Sequence, residues 1–186
     1  GEKSWIYSFD PETKQQSAQW TPVGGTPPPN KLRRERSVAK QMVAVFVAKT
    51  GHLATVPLVQ QRTVTGNWYA NVCLPQASPK DSSSGILLHH DNAPAHKVAE
   101  FLAGMRIQEL GHPPFSRDLA PCDFFVFPQI KRRMRGIRYG SPGAAVEAFI
   151  QHVEKVPASD WSSCFSKWFK RMKICIESAG EYFEKM

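Results

Sequence analysis

Two aspartates stand at the edges of apolar runs. Leu87-Leu88-His89-His90 stops at Asp91, which opens Asp91-Asn92-Ala93-Pro94-Ala95-His96. Ser116-Arg117-Asp118-Leu119-Ala120-Pro121-Cys122 leads into Asp123, which is followed by Phe124-Phe125-Val126-Phe127. Metal-assisted phosphoryl transfer needs two or three carboxylates converging on one point, because Mg2+ prefers carboxylate oxygen and keeps several waters. Such a cluster is strained by like-charge repulsion and persists mainly where cations bind. An acid at a strand end or a helix start is fixed by a rigid element, and at a helix start the dipole favours it. The same residues admit a plainer account, with Asp123 as a helix cap and Asp91-Asn92 as a turn. Spacing alone leaves both open.

The elements that must position these acids follow from periodicity. Trp5 to Phe9 is aromatic and β-branched and reads as a strand ended by Asp10-Pro11, with Gln15 to Trp20 as a candidate hairpin partner. Thr21 to Asn30 holds four prolines and two glycines and reads as an extended loop. Gln41 to Ala48 and Leu53 to Val59 read as an antiparallel pair around a turn at Lys49-Thr50-Gly51-His52. Thr65 caps a helix that runs to Leu74, and Pro75 to Gly85 is a polar, serine-rich connection. Ile86 to His90 reads as a buried strand parallel to the first. His96 to Met105 reads as a helix and Ile107 to Leu110 as a strand. Asp123 to Arg135 is helical by the spacing of Phe124, Phe127, Ile130 and Met134. Ser141-Pro142 opens a helix carrying Val146, Phe149, Ile150 and Val153 on one face. Ser159 caps the last helix, whose apolar stripe is Trp161, Phe165, Trp168, Met172 and Ile176. Strands first and helices afterwards give an α/β (α+β) arrangement, a mixed sheet covered by helices.

Composition sets the bounds. The chain has 186 residues, 41% of them apolar, and a net charge of +8. That is one domain with a real core and a polyanion as the expected partner class. Cys73, Cys122, Cys164 and Cys175 form no CxxC pair, so buried free thiols of a reducing compartment are expected, with neither a disulfide framework nor a zinc site. No apolar run approaches membrane-spanning length, no signal peptide is visible, and the opening at Gly1 suggests a fragment of a longer protein. His89, His90 and His96 flank Asp91, and hydrogen-bonding roles suit them better than ligation of an oxygen-seeking ion.

Several stretches together resemble the catalytic core of the mariner-type DNA transposases. They are His89 to His96 with His112 to Lys131, the opening Gly1-Glu2-Lys3-Ser4-Trp5 with Asp10 to Ser17, and Tyr182 to Met186 at the end. The resemblance covers the whole chain. It implies a ribonuclease-H-like fold, a single catalytic-core domain over residues 1–186 with residues 21–40 as an inserted Pro-rich, basic loop, and DNA-reading helix-turn-helix domains lying upstream and absent here. It implies Mg2+ (or Mn2+) held by three acids, on which Asp91 and Asp123 fall as the second and third and Glu2 as the first. Asn92 and Asp118 are implied as supporting residues. The implied partners are DNA, as transposon ends and a TA target, and a second copy through the Pro-rich loop, in the nucleus, with neither a membrane nor a small-molecule substrate.

The chain departs from that family where it matters. Glu2 stands in place of an aspartate, and one added methylene moves a carboxylate by about 1 Å, a misplacement that can cost about 100-fold in rate. Lys3 stands where the family usually has an acid, and a cation there competes with metal. Between Asp91 and Asp123 lie 31 residues, three fewer than the family pattern; the gap falls after His96 and removes about 5 Å of helical rise. Arg117 replaces a usual proline. Impaired catalysis is therefore expected. The alternatives are a non-catalytic DNA-binding or dimerisation module and, less in keeping with the motifs, a ribonuclease-like hydrolase. Lys31, Arg33, Arg34 and Arg36, with Lys131, Arg132, Arg133 and Arg135, are the candidate DNA contacts, and a solvated face is their bland reading.

Overall fold

A computed structural model describes residues 1–24, 34–59, 63–78, 85–92, 102, 104 and 107–180. Three strands form an antiparallel sheet in the order β1 (Glu2–Tyr7), β2 (Lys40–Ala48), β3 (Gly51–Pro57). Glu2 lies opposite Val45 and Trp5 opposite Met42. The first strand thus starts three residues earlier than its aromatic run suggests and carries Glu2 within it. Its partner is β2. Gln15–Trp20 is no hairpin strand: Thr13 and Gln16 bond one another in a local turn, and Trp20 is fully exposed. A polar run with no apolar alternation has no face to bury, so it gains nothing by pairing.

A second sheet pairs β4 (Ile86–His89) with β5 (Ile107–Leu110) in parallel. The two sheets meet at the start of β1, where the Gly1 nitrogen donates to the His89 carbonyl. This seam brings the first residues of β1 beside the end of β4. The expected helix His96–Met105 lies outside the described residues apart from Leu102 and Gly104; Leu102 is buried.

Helices cover both faces of β2, and its alternation explains why. Val43 and Val45 face a core built with Ile6, Val126, Phe127, Ile130, Phe149, Val153 and Trp161. Ala44 and Phe46 face the opposite core, with Val56, Trp68, Tyr69, Leu74, Leu88 and Ile107. Two-sided burial is what a continuous apolar run such as Met42 to Ala48 specifies. Full burial of a side chain like Phe149 or Ile130 stabilises by about 1.5–3 kcal/mol.

The first helix, α1, runs through Gly66–Trp68, Tyr69–Cys73 and Leu74–Ala77. Thr65 caps it, its hydroxyl accepting from the Trp68 N–H at 3.2 Å. It passes Leu74 and takes in Pro75. The middle segment is a wide π-helical turn directly ahead of that proline. The second helix, α2, repeats the device, with Cys122–Val126 wide and Phe127–Met134 regular around Pro128. Widening the turn removes the clash between the proline ring and the carbonyl one turn back, so the first helix continues where Pro75 was expected to end it and the second runs through Pro128 as its periodicity suggests. Helix α3 (Pro142–Glu154) is capped by Ser141, which accepts from the Ala144 N–H.

Helix α4 (Ala158–Glu177) differs from expectation twice. Its cap position is Pro157, and Ser159 lies inside the first turn with its hydroxyl toward Asp160. Its stripe is buried only at Trp161 and Trp168, with Cys164 buried beside them, while Ile176 is exposed. Phe165 and Met172 are half-buried.

Candidate functional site

The three sequence-predicted acids come from three elements. Glu2 is the first residue of β1, Asp91 follows β4 by two residues, and Asp123 sits in the first turn of α2. The seam between Gly1 and His89 holds the first two elements together. Cys122 ties the third to β2, its thiol facing the Val45 carbonyl at 3.7 Å, and Val45 is the residue opposite Glu2. All three acids therefore sit around one strand end.

Their electrostatics agree. Glu2 is buried, and burial pushes its carboxyl above the usual range, with the charges of Asp91 and Asp123 adding to the effect. The Lys3 N–H opposes it by donating to Glu2 Oε1 at 2.8 Å. Asp91 is engaged by Lys3, whose Nζ lies 3.4 Å from Oδ1 and 3.3 Å from Oδ2. Asp123 is engaged by Arg117, Nε to Oδ2 at 3.4 Å.

Histidines support the loop that carries Asp91. His90 is buried, with Nδ1 2.9 Å from the Tyr69 hydroxyl and Nε2 3.0 Å from Glu109 Oε1. An ionised carboxylate only accepts, so Nε2 carries the proton and Nδ1 accepts from Tyr69. Burial raises the Tyr69 phenol and keeps it a donor. His89 packs on Trp168 and pairs with His112, ring nitrogens 3.0 Å apart, and burial holds His89 down to about 3. Asn92 donates to the His112 carbonyl at 2.7 Å. Asp118 contributes its carbonyl, which accepts from Arg171 at 2.8 Å. A cavity of about 330 Å³ opens beside these residues, lined by Phe46, Leu74, Leu88 and Trp168 together with Glu2 and Asp91.

A hard, oxygen-seeking ion suits these carboxylates by donor type. The arrangement does not suit it: among the described residues no group of three acids, histidines or cysteines is close enough to hold an ion, and Asp91 and Asp123 each bond a cationic side chain. Mg2+ requires near-ideal octahedral geometry at about 2.0–2.1 Å, which these contacts obstruct.

The basic residues divide. Lys31 and Arg33 lie outside the described residues. Arg34 is exposed. Arg36 and Arg135 both bond Asp10, at 2.8 and 3.7 Å, and Arg36 also covers the Tyr7 ring. Arg132 and Arg133 are exposed on α2. Lys131 points inward, donating to Ser4 Oγ at 2.6 Å, and burial pulls its ammonium down to about 8. Sequence reasoning missed the Tyr69–His90–Glu109 chain and the Arg117–Asp123 pair. The first joins residues far apart in sequence; the second was signalled only by an arginine six positions before an acid.

No family model matches the chain. It is 24% identical to the Mos1 mariner transposase of Drosophila mauritiana over 99% of its own length and 55% of that protein. It is 25% identical to the human histone-lysine N-methyltransferase SETMAR over 98% of its length and 28% of that protein. The chain thus spans about half or less of these relatives. In three dimensions it matches the Mos1 strand transfer complex with a TM-score of 0.82 at 24% identity, over 99% of this chain and 55% of that one. It matches the Mos1 paired-end complex with Mn at 0.82 and 23% identity (98% and 55% covered), and that with Mg at 0.80. The isolated Mos1 catalytic domain matches at 0.71 and 23% identity, over 78% of this chain and 77% of that one. The chain is thus similar in sequence to the Mos1 mariner transposase and shares the fold of its catalytic domain.

Proposed function

We propose that this chain, as one catalytic-core domain, binds DNA and is a mariner-like core for strand cleavage and transfer whose catalysis is impaired. The observation that carries the reading is the gathering of Glu2, Asp91 and Asp123 at one strand end in a fold shared with the Mos1 complexes. Mg2+ (or Mn2+) is the cofactor for which such acids are suited, and in this copy they hold it weakly. Arg34, Arg132 and Arg133 supply exposed positive charge for phosphates. Transposon ends and a TA target as the DNA, pairing of two copies through the Pro-rich loop, and a nuclear location belong to the same proposal. No described helix is long and apolar enough to cross a membrane.

The cations on Asp91 and Asp123 favour one second reading, a DNA-binding or dimerisation module without catalysis. A supercoiled plasmid incubated with the protein in millimolar Mg2+ or Mn2+ tests both. The expected result is DNA binding that weakens steeply with salt and nicking that is slow or absent. Robust nicking abolished by Asp91→Ala overturns the impairment. Failure to retain duplex DNA at low salt overturns the DNA-binding reading altogether.

A further inference from the structure

Each of the three acids is contacted by one of two residues, Lys3 or Arg117. The Lys3 N–H holds Glu2 Oε1, the Lys3 ammonium straddles both oxygens of Asp91, and the Arg117 guanidinium holds Asp123. We propose that Lys3 and Arg117 are tethered counter-cations that neutralise the acidic site from within, so that the protein folds without divalent ions and binds them poorly. The inference rests on the reading of Glu2, Asp91 and Asp123 as a metal-type acid set.

Three carboxylates around one strand end repel one another, and in a metal site the ions relieve that strain. Here the Lys3 ammonium and the Arg117 guanidinium offset part of that repulsion, at Asp91 and Asp123. They also take the space in which an ion and its waters must stand. An incoming ion has to displace an ammonium that lies on both oxygens of Asp91, and it meets the same local positive charge even after displacement.

The two cations are not equivalent. The Lys3 side chain is 21% exposed and the Arg117 side chain 83%. A mostly enclosed ammonium has few alternative positions and little solvent screening. An arginine largely in water swings off its partner at small cost. Lys3 is therefore the main barrier to metal, and Arg117 trims the affinity of the third acid.

Mn2+ binding to the purified chain, followed by the electron paramagnetic resonance of free Mn2+ and by thermal unfolding, tests the proposal without DNA. Wild type should bind in the millimolar range or weaker, with little shift in Tm. Lys3→Gln should bind about tenfold tighter and Arg117→Gln about two- to threefold tighter, the difference reflecting enclosure. Lys3→Gln should also melt lower than wild type without metal and recover with Mn2+. Asp91→Asn placed in the Lys3→Gln, Arg117→Gln background should remove the gain. Should Lys3→Gln fold only with Mn2+ present, that dependence itself supports the proposal. Wild type that binds Mn2+ as tightly as the double variant overturns it, as does a gain that survives Asp91→Asn. Loss of DNA binding leaves these readouts untouched and bears only on the function proposed above.

Discussion

Lys131 offers a test in which sign and size both follow from the structure. Its ammonium lies under β1, donating to Ser4 Oγ at 2.6 Å and sitting 5.3 Å from the centre of the Phe127 ring. Burial lowers its pKa from 10.5 to about 8. Below about 8 the ammonium is charged in both folded and unfolded chains, and folding carries the whole burial cost. Between about 8 and 10.5 the folded form releases its proton first, so wild type gains stability as pH rises. At about 1.4 kcal/mol per unit of pKa, the cost is about 3 kcal/mol at neutral pH. Lys131→Met keeps the apolar stem and removes the charge together with the Ser4 bond, whose net worth is about 1 kcal/mol. The variant should therefore be more stable than wild type by about 2 kcal/mol at pH 7, a rise in Tm of roughly 4–8 °C for a domain of this size. As pH rises toward and past 10.5, where the unfolded lysine also loses its proton, the advantage should disappear and a small deficit should remain. Thermal unfolding of both proteins across this range decides it. A variant less stable at pH 7, or a difference that does not change with pH, would refute the reasoning. Duplex affinity supplies a second reading: Lys131→Met should leave it nearly unchanged, because an ammonium bonded to Ser4 is not presented to phosphates.

Two further outcomes follow from the site. Tyr69→Phe removes the hydroxyl that donates to His90 Nδ1 inside the core, and should cost about 1–3 kcal/mol, read as a Tm lowered by roughly 2–12 °C; an unchanged Tm would mean that the bond contributes nothing to holding the Asp91 loop. Glu2→Gln keeps the acceptor for the Lys3 N–H and removes a buried charge. Because the folded carboxyl is raised, wild type is relatively favoured at acid pH and loses that advantage as pH rises through the raised value. The Gln variant should gain on wild type between pH 4 and pH 7 in thermal melts, and a gain confined to acid pH would contradict the assigned direction.

What the sequence revealed and what it hid have a common physical basis. Met42 to Ala48 is apolar without interruption, so a strand buried on both faces could be read from it directly. The caps Thr65 and Ser141 act on N–H groups three residues away, and such local chemistry is legible in one dimension. Ser159 looked equally good by type, but Pro157 two positions earlier already supplies the extended entry and leaves the serine inside the helix. The acids of the site were legible as motif residues, and their departures Lys3 and Arg117 were visible as substitutions. That Arg117 reaches Asp123 depends on the short helical turn Arg117–Leu119 and the wide turn after Pro121, neither of which the letters predict. Lys131 reads as one of a basic run, yet only Arg132 and Arg133 of its neighbours stand out in solvent. Along a helix, successive residues turn by about 100°, so a run of four charges cannot all face one partner.

The separation of core from site explains how such a fold can keep its shape while its chemistry drifts. One apolar cluster is built from β1, β2 and the helix faces, the other from β2, β3, β4, β5 and the first helix, and none of their members is one of the three acids. The convergence of strand starts and strand ends is fixed by the pairing of β1 with β2 and by the Gly1–His89 seam, which are backbone bonds indifferent to the side chains they carry. Lys3 and Arg117 belong to neither cluster, so their charges do not bear on the core. They act only on the local charge, and there the effect is favourable, because each cation lowers the repulsion among carboxylates that the fold forces together. On the proposed reading these contacts stabilise the resting fold, whereas a working metal site must keep its repulsion in order to attract the ion. On this view Lys3 and Arg117 stabilise the resting fold and oppose metal binding through the same two contacts, so stability without metal and affinity for it should move in opposite directions when either cation is removed.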